Sequence, residues 1–215
     1  MIRVCTISEA GGHAKNEDAF EVRSHSHDKE CYLCALADGQ GGQPGGRLAA
    51  KLACCVCLDA ALTYPPPVLL FPATWTNILH KVDKAVSDNA AAGFTTLVAF
   101  GIAEGHLFGA SCGDSAAVLL DSRKPSEILT ARQNKNPPVG SGAATFDHFV
   151  ARLTPPWIVL TMSDGVWKYA GWDSILKIGP QTQGEEIIAS LRRSAGLPRS
   201  GGLQDDFTLV VLQDA

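Results

Sequence analysis

The chain reads as an α+β sandwich in which helices cover antiparallel sheets. Three observations lead there. Strand-length apolar runs come in blocks, two helical stretches separate those blocks, and short turns bearing glycine or other polar residues join consecutive strands. At 215 residues the chain can bury a full core, and nothing in its length demands a second unit, so residues 1–215 are taken as one domain.

The first 40 residues hold three strand-like runs, RVCTIS, AFEVRS and CYLCALA, separated by GGHAKN and SHSHDKE, and they read as an antiparallel meander. Residues 47–63 are rich in Ala and Leu and free of Gly and Pro, which predicts a buried helix that the prolines at 65–67 terminate. Over residues 72–92, Ile78, Leu79, Val82 and Val86 recur three and four apart, the apolar stripe of a second helix. FTTLVAFGIAE, HLFGASCG and SAAVLLDS follow as a second meander, with turns at Glu104-Gly105 and Gly113-Asp114. Residues 131–145 carry Pro, Gly and Asn without periodicity and read as a loop near a site. Two strands, FVARLT and WIVLTM, lead to Ser163-Asp164-Gly165, and a helix over 184–195 and a final strand, FTLVVLQ, close the chain.

Composition removes several function classes. Hydrophobic content of 46%, charged content of 19% and a formal charge of −4 describe an ordinary globular protein, so nucleic acid is not an expected partner. The start lacks the apolar run of a secretion signal and no stretch has 18 uninterrupted apolar residues, so the expectation is a cytoplasmic protein that does not engage membranes. The seven cysteines, three of them crowded at Cys54, Cys55 and Cys57, suit reduced, buried thiols. Cys31 and Cys34 form a CxxC, but on a strand residues three apart face opposite sides, which argues against a metal or disulfide. GQGGQPGG resembles a nucleotide-binding loop, yet Pro44 stands where a third glycine is needed and no Gly-Lys-Ser/Thr follows. His25 and His27 sit in a polar hairpin tip, where solvation explains them better than chelation.

The aspartates carry the chemistry. Asp38 follows LCALA and precedes Gly39; Asp114 follows GASCG; Asp164 follows WIVLTMS; Asp205 and Asp206 precede FTLVVLQ. Each apolar run holds its carboxylate rigidly at a sheet edge. Converging carboxylates repel one another unless cations neutralise them, and hard oxygen ligands suit Mg²⁺ or Mn²⁺. Glycine after Asp38 lets the backbone turn so that the Gly39 carbonyl also approaches a metal.

KNEDAF, CALADGQGGQPGG, GFTTLVAFGIAEGHLFGASCGDSAAVLL, WIVLTMSDGVW and QDDFTLVVL resemble, in order, the motifs of the metal-dependent serine/threonine phosphatases of type 2C, in their compact bacterial form. The matches run from Asn16 to Leu212. The resemblance implies a four-layer α-β-β-α sandwich, two antiparallel sheets packed face to face and flanked by helices. It also implies hydrolysis of phosphoserine and phosphothreonine in a phosphorylated protein, a Ser/Thr kinase or its targets. Two Mn²⁺ or Mg²⁺ ions would serve it, with a weaker third. On this resemblance Asp38 bridges two metals with the Gly39 carbonyl beside it, and Asp164 and Asp205 complete one shell. Glu17 and Asp18 serve the other ion, and Asp114 with Asp164 serves the third.

The sequence departs from the pattern in three places. His13 stands where the family places an arginine that holds the substrate phosphate, leaving His13 or Lys15 to take that role. The closing DN is DD here, and Asp205 is preferred because Thr208 then keeps its spacing. The segment between GDS and SDG is short, lacks the usual aspartate-histidine-serine motif and flap, and carries NKNPPVGSG instead. A domain that kept the scaffold as a phosphoprotein-binding module without turnover is the alternative, although such a module has little reason to keep mutually repelling acids. Nothing in the sequence points to an oligomeric state.

Overall fold

The computed structural model describes residues 1–12, 15–26 and 28–214. Its strands are β1 (Ile2–Glu9), β2 (Asp18–His25), β3 (Asp28–Asp38), β4 (Leu97–Ala103), β5 (His106–Cys112), β6 (Ala116–Asp121), β7 (Lys124–Ile128), β8 (Asp147–Arg152), β9 (Trp157–Met162) and β10 (Phe207–Asp214). Helices α1 (Gly46–Ala61) and α2 (Pro72–Ser87) lie between β3 and β4, joined through a short 3-10 turn at Pro66–Leu70. Helices α3 (Asp164–Ala170), α4 (Trp172–Leu176) and α5 (Gly184–Ala195) lie between β9 and β10.

The strands form two antiparallel five-stranded sheets, ordered β1-β10-β9-β6-β7 and β2-β3-β4-β5-β8. Side-chain alternation along the central strands builds three apolar layers from them. On β3, Leu33, Ala35 and Ala37 face α1 and α2, where they meet Ala53, Leu58, Trp75 and Ile78. Cys34 and Leu36 face the other way, into an interface with Val159, Val210 and Leu212 of the opposing sheet. The outer face of that sheet, with Leu160, Leu209 and Val211, packs on Val166, Ile187 and Leu191 of α3 and α5. The result is α-β-β-α, as expected. Cys31 and Cys34 do fall on opposite faces, and all seven cysteines are free. Burial pushes the Cys34 thiol up to about 12, consistent with an inert packing residue.

Two expectations about connectivity are corrected. The first three strands are not a meander: β2 and β3 pair, but β1 pairs with β10 over its full length, from Ile2↔Asp214 to Glu9↔Phe207. The chain therefore passes from one sheet to the other between β1 and β2. Likewise β4 and β5 pair, whereas β6 belongs to the other sheet, against β7 and β9. Every residue of β4 and β6 is buried, so no polar alternation in the sequence says which sheet either strand joins. The second helix ends at Ser87, short of residue 92. Strand β7 and helices α3 and α4 went unanticipated: KPSEI has no apolar alternation, and seven and five residues are too few to show a helical period.

Candidate functional site

Antiparallel pairing brings the ends of several strands to one end of the sandwich. Asp18 opens β2 directly across from Asp38, which closes β3. Asp164 follows β9 just as Asp205 and Asp206 precede β10, and these two strands are neighbours. Asp114 lies in the turn from β5 to β6, which carries the chain between sheets. Glu17, Asp38, Asp114, Asp164, Asp205 and Asp206 thereby line one pocket of about 770 Å³. Asp18 stands behind it, 6% exposed.

Hydrogen bonds fix the backbone around Asp38, Asp114 and Asp164. The Asp38 amide donates to Thr96 Oγ1 at 2.9 Å, and the Asp38 carbonyl accepts from Thr95 Oγ1 at 2.8 Å and the Thr96 amide at 2.9 Å. Thr96 Oγ1 also bonds the Ser115 hydroxyl at 2.7 Å, tying β3 to the turn that holds Asp114. Ser163 Oγ accepts from the Thr208 amide at 3.1 Å and locks the β9 and β10 ends in register beside Asp164. The Trp167 indole, stacked on Trp172, donates to the Asp114 carbonyl at 2.9 Å. Gly39 has to be glycine, since a Cβ there would lie 2.4 Å from the Gly46 backbone and 2.8 Å from the Glu17 carbonyl.

Asp206 is buried, and its two carboxylate oxygens accept from the amides of Gly11 at 2.9 Å and Glu17 at 2.6 Å. It clamps the segment after β1 onto the start of β10. The Asp205 carboxylate makes only the local bond from the Asp206 amide, 3.0 Å, among the hydrogen bonds of the described residues. This division of labour supports Asp205, rather than its neighbour, as the acid available to a ligand.

The electrostatics demand positive charge. Burial pushes the Asp38 carboxyl up to about 9, and repulsion from Asp18, Asp164, Asp114 and Asp205 adds to it. Burial likewise pushes Asp18 up to about 7, aided by Asp206 and Asp164 and opposed by the nearby Thr208 and Ser163 hydroxyls, which approach without making full hydrogen bonds. Among the described residues, both Asp18 oxygens and Glu17 Oε2 are buried without a hydrogen-bond partner. Orphaned carboxylate oxygens around a pocket of acids fit a hard divalent cation. Among the described residues no three His, Cys, Asp or Glu side chains form a ready-made cage, so such an ion would keep waters among its ligands. Two lysines meanwhile pair with the acids: Lys168, one helical turn on, with Asp164, and Lys135 with Asp114.

His13 and His27 lie outside the described residues. Lys15 is exposed and is not among the residues that line the pocket. His25 is buried, with its ring bonded to the Tyr64 carbonyl at 3.0 Å, a packing contact. Sequence reasoning passed over Lys168, Lys135 and the clamp made by Asp206. The spacing of Asp164 and Lys168 at i and i+4 was a signal for the first; the other two contacts join segments 21 and about 190 residues apart.

Several solved structures share this fold. The serine/threonine phosphatase Stp1 of Staphylococcus aureus superposes with a TM-score of 0.77 at 20% identity, covering 100% of this chain and 96% of its own. The Mycobacterium tuberculosis phosphatase PstP/Ppp gives 0.78 at 21% identity, with 99% and 98% covered. RsbX, solved in complex with magnesium, gives 0.75 at 17% identity, with 99% and 94% covered. No curated protein matches the sequence. The family model described as protein phosphatase 2C matches residues 8–166, which takes in the acids from Glu17 to Asp164. With that match over most of its length and the acids gathered as described, the chain belongs to the protein phosphatase 2C family of metal-dependent serine/threonine phosphoprotein phosphatases.

Proposed function

We propose that this phosphatase works in the cytoplasm on a phosphorylated Ser/Thr kinase or on that kinase's targets, using two Mn²⁺ or Mg²⁺ ions. The convergence of Glu17, Asp38, Asp114, Asp164 and Asp205 on one pocket carries the proposal. Asp38 would be shared between the ions, with the Gly39 carbonyl as a further ligand. Asp164 and Asp205 would complete one shell, Glu17 and Asp18 would serve the other, and Asp114 with Asp164 would hold a weaker third ion. When bound, such ions lower the pKa of a coordinated water and polarise a phosphoryl oxygen. The chain's own residues do the positioning: Thr96 and Ser115 hold Asp38 and the Asp114 turn, and Ser163 holds Asp164 beside Asp205. His13 or Lys15 would contact the phosphate, and a protonated His13 would supply a proton to the departing serine or threonine oxygen.

Purified protein with excess Mn²⁺ is expected to release phosphate from phosphoserine or phosphothreonine peptides. A chelator should stop the release, and Asp38→Ala or Asp164→Ala should abolish it. Should no phosphopeptide lose phosphate while Asp38→Ala still captures the phosphorylated partner, the domain is a binding module instead.

A further inference from the structure

The pocket is rimmed on one side by the segment that replaces the family's flap, residues 131–145, and that rim is tied down at several points. Asp83, a buried carboxylate on α2, accepts from the amides of Gly140 at 2.7 Å, Gly142 at 3.2 Å and Ala144 at 3.1 Å. Val139 and Thr95 exchange backbone hydrogen bonds of 3.0 and 3.1 Å, and the Gly113 amide donates to the Asn134 carbonyl at 2.9 Å. Between these anchors stands Lys135. It is the one cation among the described residues that line the pocket, and its side chain is 66% exposed while its ammonium pairs with Asp114. An exposed ammonium on a fixed backbone can turn from a carboxylate to an arriving anion without moving the loop. Phe94 and Pro138 flank the same rim with apolar surface.

We propose that Lys135, presented by a rim that Asp83 holds in position, binds the substrate's phosphate dianion in addition to the contact from His13 or Lys15. The proposal rests on the phosphatase assignment, and it makes Lys135 a binding residue and Asp83 a positioning residue. Lysine donates as a point charge, so it tolerates phosphoserine and phosphothreonine esters seated at different angles. The loop adds a cation to a site that the sequence leaves without an arginine at position 13.

The test compares wild type with Lys135→Met, Lys135→Arg, Asp83→Asn and Lys124→Met, using a phosphothreonine peptide with uncharged flanks. Lys135→Met is expected to raise KM and the inhibition constant of inorganic phosphate together, by about 10-fold, the size of one lost charge-assisted hydrogen bond, with kcat within about threefold. Lys135→Arg should recover most of the loss, and Lys124→Met, on β7 and outside the pocket lining, should leave both constants near wild type. Asp83→Asn should raise KM, with Mn²⁺ affinity unchanged. Unchanged KM and phosphate inhibition in Lys135→Met would overturn the proposal and leave Lys135 as the counter-ion of Asp114. Equilibrium binding of the phosphorylated and unphosphorylated peptides to Mn²⁺-loaded protein separates the two claims. If wild type binds the phosphopeptide selectively but never hydrolyses it, the phosphatase assignment fails, and loss of that selectivity in Lys135→Met still upholds the site. If wild type shows no such selectivity, Lys135 is no phosphate site.

Discussion

Asp205 and Asp206 show how two adjacent carboxylates acquire different duties from their hydrogen bonds. Asp206 accepts from two amides of the segment after β1, whereas Asp205 faces the pocket with only a local bond. Removing an ionised acceptor from buried amides costs about 1.5–3 kcal/mol per bond. Asp206→Ala should therefore lower the melting temperature markedly, while Asp205→Asn should leave it nearly unchanged and weaken Mn²⁺ binding; thermal melts and a metal titration of the two variants check this. The sequence argued for Asp205 by the spacing to Thr208, but the role of Asp206 was hidden because its partners lie 195 and 189 residues away. Lys168 is the converse case. It pairs with Asp164 from the next helical turn, and although burial works against its charge, contact with Asp164 outweighs that and raises its pKa. A lysine so placed competes with a metal for the carboxylate. Lys168→Met should tighten Mn²⁺ binding severalfold in the same titration, and weaker binding would show instead that Lys168 helps to orient Asp164.

At the scale of elements, close approach matters more than propensity. The acids meet because α3 begins at Asp164 hard against the start of β10: a Cβ on Gly165 would lie 2.0 Å from the Asp206 carbonyl oxygen. Gly165→Ala has to push the helix off the strand, an overpacking cost of about 1–3 kcal/mol. It should also weaken Mn²⁺ binding, because Asp164 moves with the helix; retention of wild-type stability and affinity would show that the contact is soft. Nine of the ten strands and helices α1, α2 and α5 could be read from the chain, the strands as strand-length apolar runs between turns and the helices from their composition or their apolar period of about 3.6. The pairings could not. Buried runs such as LVAFGIA and AAVLLD are apolar on both faces, so nothing local distinguishes a hairpin from a crossover, and the union of β1 with β10 joins the chain's two ends. The aspartates were legible for the opposite reason: each borders an apolar run, and a strand end lies at a sheet edge.

For the molecule as a whole, the acid cluster trades stability for a binding site. Asp38, pushed up to about 9, and Asp18, pushed up to about 7, hold protons in the folded chain that the unfolded chain, with aspartate near 3.8, would release. A folded state that binds more protons loses stability as pH rises, so these groups cost nothing below the unfolded value and cost progressively more as pH climbs through about 7 to 9. The melting temperature of chelator-treated protein should therefore fall between about pH 6 and pH 9, and Mn²⁺ should raise it more at the alkaline end, where binding no longer has to displace protons. A metal-free melting temperature that rises over this range would count against a cluster of this kind.

The central claim is that these carboxylates form one metal centre organised around Asp38, and a calorimetric titration of Mn²⁺ into chelator-treated wild type and Asp38→Asn at neutral pH tests it most directly. Wild type is expected to take up two ions per chain with release of protons, and Asp38→Asn, with its fold confirmed by circular dichroism, to lose that uptake. Equal uptake by the two proteins, or none by wild type, would contradict the account.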